Sequence, residues 1–102
     1  MRHFTTSAVR IMSKRIQFKV EGKVQGVCFR QFTVEKAQGL NLTGYVKNAS
    51  DGSVSGEAQG DQSSLSQFVQ HLNSGPPAAK VSKVDQNDVA AKEGESGFSQ
   101  TR

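Results

Sequence analysis

Two hydrophobic periods meet at one glycine-bracketed stretch, and that junction limits the fold more than any other feature of the chain. Ile16, Phe18 and Val20 alternate with Gln17, Lys19 and Glu21 across residues 15–21. A period of two means a strand with one buried face. From Phe29 to about Leu40 the period changes. Phe29, Phe32, Thr33, Ala37 and Leu40 recur at helical spacing, with Val34 off the stripe and Gly39 in the fraying last turn. Between the two lies Gly22-Lys23-Val24-Gln25-Gly26-Val27-Cys28. A strand-loop-helix junction of this kind brings backbone N–H groups together at a helix N-terminus, where an anion can be held. Arg30, in the first turn, adds a side chain that grips phosphate with two parallel hydrogen bonds.

The rest of the chain completes a pattern. Residues 42–48 read as a second strand, with Tyr45 and Val46 as strand formers. Asn48-Ala49-Ser50-Asp51-Gly52 is turn chemistry, and its Asp-Gly pair suggests a hairpin. Residues 53–59 form a third strand whose small inward residues, Val54, Gly56 and Ala58, would let a helix lie close. In residues 61–73, Leu65, Phe68, Val69 and Leu72 fall at i, i+3, i+4 and i+7; Asp61 or Ser63 can cap the start and Gly75-Pro76-Pro77 stops the helix. A fourth strand is expected over residues 79–84, then a polar loop over 85–97 with room for some strand extension, and a candidate fifth strand at residues 98–101. The order β-α-β-β-α-β is the split βαβ, or ferredoxin-like, α+β sandwich: two helices on one face of a mainly antiparallel sheet. With 102 residues and only 34% hydrophobic content, one two-layer domain over residues 14–102 is expected.

The net charge of +4 raises the question of nucleic acid, and its location answers it. Residues 1–19 hold Arg2, Arg10, Lys14, Arg15 and Lys19 and no acid. Eight basic residues then face all nine acidic ones, so residues 20–102 carry −1. A nucleic-acid binder more often carries its basic stripe through the folded domain. The outward positions Gln17, Lys19 and Glu21 also offer no stacking platform for RNA. Residues 1–13 have the Arg-rich, hydroxyl-rich, acid-free composition of a mitochondrial presequence, and Arg2, Phe4 and Ser7 are spaced like a processing site. The alternative is a disordered tail, or residues skipped by starting at Met12. A cytoplasmic location is the first expectation and a mitochondrial one the alternative. No apolar run is long enough to span a membrane. The single cysteine, Cys28, forms no internal disulfide and suits a reducing compartment. No Cys/His cluster has metal-ligand spacing, so neither a metal nor a cofactor is expected. A monomer is expected.

In the expected fold the first βα loop and the end of the second strand reach the same sheet edge. Asn48 then sits beside the loop, with an amide donor and acceptor able to orient a water. Two phosphate chemistries are excluded by spacing. The G-x-x-x-x-G-K-[ST] loop fails because Val27 stands five residues after Gly22. A Cys-x5-Arg phosphatase needs arginine where Val34 stands. Cys28 is therefore expected to be a packed residue of the loop-helix junction. His71, beside the stripe of its helix, is expected at the surface or its boundary, and Asp51 is expected to serve the turn.

GKVQGVCFR (residues 22–30) together with GYVKNASDGSVSGEAQG (residues 44–60) resembles the paired signature of the acylphosphatase family, and the likeness extends over about residues 14–102. The resemblance implies a small metal-free hydrolase that splits the carboxyl-phosphate bond of acyl phosphates into a carboxylate and inorganic phosphate. It implies that Arg30 is the phosphate-binding catalytic arginine and that Asn48 positions the attacking water. It implies that the backbone amides of Lys23, Val24, Gln25, Gly26 and Val27 cradle the phosphoryl oxygens, with phosphate as product and inhibitor. Ala49 departs from the pattern, since relatives often carry threonine there; the orientation of Asn48 would then rest on Ser53 or other neighbours. The alternative reading is a non-catalytic phosphate- or anion-binding module on the same fold.

Overall fold

The computed structural model describes residues 13–26 and 28–101. The reading of the N-terminal extension lies outside them, except for Ser13. Seven elements follow one another: β1 (Lys14–Lys23), α1 (Phe29–Gly39), β2 (Thr43–Asn48), β3 (Val54–Gly60), α2 (Gln62–Ser74), β4 (Lys80–Val89) and β5 (Phe98–Thr101). The sheet order is β4-β1-β3-β2-β5. β1 runs antiparallel to β3 and β4, β2 runs antiparallel to β3, and β5 alone pairs in parallel, with β2. This is the expected ferredoxin-like α+β fold, with the fifth strand present.

The alternation read in β1 places Ile16, Phe18 and Val20 in the core. Val46, Val54 and Ala58 join them from the neighbouring strands, and Phe29, Ala37, Leu65, Phe68 and Leu72 meet them from the two helices. Helix α1 lies over β2 and β5, and α2 lies over β4. The ring of Phe68 stands edge-on to Phe18 at 5.4 Å and tilted to Phe98 at 5.9 Å, so one side chain of α2 joins β1 to β5, the first strand of the chain to the last. At Gly56 the space for a side chain is taken by the Phe18 ring and the Tyr45 carbonyl, with an added Cβ 2.9 Å from Phe18 Cζ. Asp61 caps α2, accepting from the Ser64 N–H at 2.8 Å, and Gly75 ends it at φ 66°.

β4 is longer than its apolar pattern. It extends five residues beyond Val84, because it pairs with β1 from Lys23↔Lys80 to Arg15↔Val89. Backbone pairing holds its second half, where Asp85, Gln86, Asn87 and Asp88 supply no stripe to read. The register shifts between Glu21 and Gly22, and the two backbones close up there. A Cβ on Gly22 (φ 127°) would lie 2.1 Å from the Lys80 carbonyl oxygen. Only glycine fits both that angle and that approach.

The other sheet face is crossed at one end by the segment joining β4 to β5. Arg15 is fully buried there, although it occupies an outward strand position. Its guanidinium donates to Glu57, to Gln59 at 3.1 Å and to both carboxylate oxygens of Glu95, at 2.7 and 3.2 Å. Gln59 in turn exchanges two 2.8 Å hydrogen bonds with the backbone of Lys92. The hydrogen bonds from Arg15 hold the Glu95 carboxyl below the usual carboxylate range. The clasp anchors the crossing segment and so delivers β5 to the far edge, beside β2.

Candidate active site

Every strand end near the first loop belongs to the opposite end of the sheet from that clasp. β1 finishes at Lys23, β2 at Asn48 and β5 at Thr101. The chain leaves β1 and turns through Gly26 (φ 74°) and Cys28 (φ 62°) into α1. The first α-helical bond runs from the Phe32 N–H to the Cys28 carbonyl at 3.0 Å. The N–H groups of Phe29, Arg30 and Gln31 therefore have no partner within their own helix. Cys28 provides no side-chain cap, and the first turn contains no acidic residue. The positive end of the helix dipole is thus left to an outside anion.

In front of that helix end is a cleft of about 220 Å³. Arg30 and Asn48 both line it, with Val24, Gly26 and Phe29 from the loop and helix start and Gln100 from β5. Arg30 is half-buried, and its guanidinium donates to the Thr101 carbonyl at 3.3 Å, which leaves most of its donors for a ligand. Asn48 is half-buried as the last residue of β2, and its side-chain amide makes no hydrogen bond to another described residue. The two side chains singled out from the sequence therefore share one concavity with the free N–H groups of α1. Of the loop residues expected to cradle an anion, Val24 is packed into the core and holds the loop down, Lys23 and Gly26 are exposed, and Gln25 is half-buried. Val27 lies outside the described residues.

The hairpin between β2 and β3 is braced by its own turn. Asp51 accepts from the Ser53 N–H at 3.0 Å and the Ser53 hydroxyl at 2.6 Å, and pairs with Lys19 at 3.0 Å. Hydrogen bonds from Ser53, with that from Lys19, hold its carboxyl far below the usual carboxylate range. An acid kept ionised so firmly is a poor proton acceptor, and Asp51 serves the turn, as expected. Ser53 spends its hydroxyl on Asp51, so its support of Asn48 runs through the shape of the hairpin. The Gln25 side chain reaches the same hairpin, donating to the carbonyls of Ala49 at 2.8 Å and Ser53 at 2.9 Å.

Cys28 differs from expectation: it is exposed at the cleft and not packed. Its left-handed backbone turns the side chain outward, and Phe29 takes the core position in its place. His71 is half-buried on α2, away from the cleft. Gln100 and the Thr101 carbonyl were not foreseen as part of the site. They arrive through the parallel pairing of Val46 with Gln100 and Lys47 with Thr101, which leaves no local signature. A larger hollow of about 420 Å³ lies on the open sheet face, where Lys19 and Lys47 alternate with Asp85 and uncharged residues. It has no helix end and no convergent charge, so the smaller cleft is the better anion site. No group of three or more His, Cys, Asp or Glu among the described residues is placed to hold a metal ion, and no described helix is long and apolar enough to cross a membrane.

Known proteins are similar to this chain in both sequence and overall fold. The acylphosphatase family model matches residues 16–100. An acylphosphatase of Rhizobium meliloti is 42% identical over 84 residues, which span 82% of this chain and 88% of the relative. The solved structure of an acylphosphatase from Coxiella burnetii superposes with a TM-score of 0.85 at 38% identity, covering 90% of this chain and 96% of that one. The phosphate- and nucleotide-bound structure of full-length HypF contains a similar segment, with a TM-score of 0.81 at 30% identity, covering 88% of this chain but 12% of that much longer one.

Proposed function

The chain belongs to the acylphosphatase family, and from that premise we propose that it hydrolyses acyl phosphates in the cleft between Arg30 and Asn48, without a metal. The observation that carries the proposal is that these two side chains line one cavity in front of the uncapped N-terminus of α1. The phosphoryl oxygens sit in the loop of Lys23, Val24, Gln25, Gly26 and Val27, held by backbone N–H groups, and Arg30 closes on them with its fork. Asn48 holds a water on the side of phosphorus opposite the acyl oxygen. The water oxygen forms a bond to phosphorus as the bond from phosphorus to the acyl oxygen breaks. The carboxylate leaves with that electron pair, and a phosphoryl oxygen takes the proton of the water. A carboxylate is a good leaving group, so positioning and charge stabilisation supply most of the effect and no strong general base is required.

The substrate class is small acyl phosphates, and inorganic phosphate is both a product and a competitive inhibitor. We place the active species as a monomer, in the cytoplasm, with no nucleic-acid partner. The acid test is hydrolysis of benzoyl phosphate with and without a chelator, repeated for Arg30→Gln. Unchanged turnover in chelator and a large loss in the variant are expected. A second reading, a non-catalytic anion-binding module, has the HypF likeness in its favour, because there the similar segment is a small part of a longer protein. Phosphate binding without benzoyl phosphate hydrolysis by the unmodified protein would establish that reading instead.

A further inference from the structure

We infer that Gln25 is a positioning residue: its side-chain amide ties the anion loop to the hairpin that carries Asn48, and so sets where the attacking water stands relative to the phosphoryl group. The inference rests on the acyl phosphate hydrolysis proposed for this cleft. Nε2 of Gln25 carries two hydrogens. It donates to the Ala49 carbonyl at 2.8 Å and the Ser53 carbonyl at 2.9 Å. Those carbonyls stand across the neck of the hairpin. The Ala49 N–H donates to the Ser53 carbonyl at 2.8 Å, and the Gly52 N–H to the Ala49 carbonyl at 3.2 Å. A carbonyl oxygen accepts two hydrogen bonds, so Gln25 fills the remaining place on each.

The placement of this bridge gives it its consequence. Ala49 follows Asn48 directly in the chain, and Gly26, which follows Gln25, lines the cleft. The bridge therefore joins the two pieces of backbone whose separation sets the distance from oriented water to bound phosphorus. Asn48 makes no side-chain hydrogen bond to another described residue, so its aim depends on where its backbone is held. Alanine at position 49 has no hydroxyl to help, and the Ser53 hydroxyl is committed to Asp51. A misplacement of about 1 Å at such a distance costs on the order of 10² in rate.

The test compares kcat with phosphate binding. Gln25→Met keeps the length and removes both donors. Its kcat on benzoyl phosphate is expected to fall about 10–100-fold, while the inhibition constant for inorganic phosphate stays within about threefold. In an Asn48→Ala background the same change is expected to leave the residual rate within about threefold, because no oriented water is left to misplace. Gln25→Glu gives an independent reading. Its carboxylate faces two carbonyl oxygens with nothing to donate, so its kcat relative to the unmodified protein should rise as the pH falls and the introduced carboxyl takes up a proton. A loss that persists undiminished without Asn48, a phosphate constant that rises while kcat holds, or a Gln25→Glu rate ratio flat with pH each overturns the inference. Phosphate binding with no hydrolysis by the unmodified protein overturns the reaction itself, and with it this role, whereas a hydrolysing protein whose Asn48→Ala variant is impaired isolates the test of Gln25. Native circular dichroism of both variants accompanies the kinetics.

Discussion

Replacing Asn48 with alanine should separate catalysis from stability, and the structure sets the size of both effects. The side-chain amide makes no hydrogen bond to another described residue, and the residue is half-buried at the end of β2. Its removal leaves no buried partner unsatisfied and opens no core cavity. The cost to folding should therefore stay within about 0.5–1 kcal/mol, a Tm shift below about 8 °C for a domain of this size. In the proposed mechanism the amide is the oriented donor and acceptor for water in the transition state. Removing a group of that kind costs on the order of 10²–10³ in kcat, or about 3–4 kcal/mol. On the same proposal phosphate is held by Arg30 and the loop, so its inhibition constant should move by less than about threefold. The assay is the initial rate of benzoyl phosphate hydrolysis at saturating substrate, with a phosphate inhibition series and a thermal melt on the same preparation. A kcat within tenfold of the unmodified value would refute the water-orienting role. A kcat loss matched by an equal weakening of phosphate inhibition would refute it too, because Asn48 would then be a binding residue.

Three further outcomes are expected. Arg30→Gln removes the charged fork from the cleft, and both kcat and phosphate inhibition should weaken by about 10–100-fold, each charge-assisted hydrogen bond being worth roughly 1.5–3 kcal/mol; steady-state kinetics with phosphate as inhibitor measures both. Glu95→Gln should destabilise the fold by about 1–3 kcal/mol in urea titrations at pH 7 and flatten its acid limb. The Glu95 carboxyl lies below its ordinary 4.5 in the folded state, so its contribution is full above that value and is lost as the pH falls through the folded one. Gly22→Ala should cost more than Gly26→Ala in the same titration. Both residues have positive φ, worth about 1–2 kcal/mol, but only at position 22 would the new Cβ strike backbone, 2.1 Å from the Lys80 carbonyl oxygen, whereas nothing lies within 4 Å of one at position 26.

How far the molecule was legible depended on whether a residue's role is written in its near neighbours. The strand at Ile16, Phe18 and Val20 and the helix at Leu65, Phe68 and Leu72 were legible because burial repeats at the period of the element. Arg30 and Asn48 were legible because the paired signature of residues 22–30 and 44–60 resembles a known family's and marks both, and the cleft brings them together. Arg15 was not, since its outward strand position reads as solvated. Its burial comes from Glu95, eighty residues away, on a segment without periodicity. The second half of β4 and the cleft residue Gln100 were hidden for the same reason, because ladder pairing with β1 and β2 is a property of two segments. Cys28 was not legible either: the absence of arginine at position 34 argues against a nucleophile but does not place the side chain, and a left-handed φ of 62° turns it out.

These misses connect to the site. The clasp on Arg15 fixes the segment that crosses the sheet, and that segment sets where β5 begins. The parallel register of β5 then places Gln100 in the cleft and the Thr101 carbonyl within 3.3 Å of Arg30. Gln25 ties the loop to the hairpin from the other side. The cleft therefore depends on three long-range attachments, one of them at the far end of the sheet and none local in sequence, around a loop and a helix end that are local. Local chemistry supplies the groups that can hold a phosphoryl group. The distant attachments set the distances between those groups, and on those distances an in-line attack by water depends.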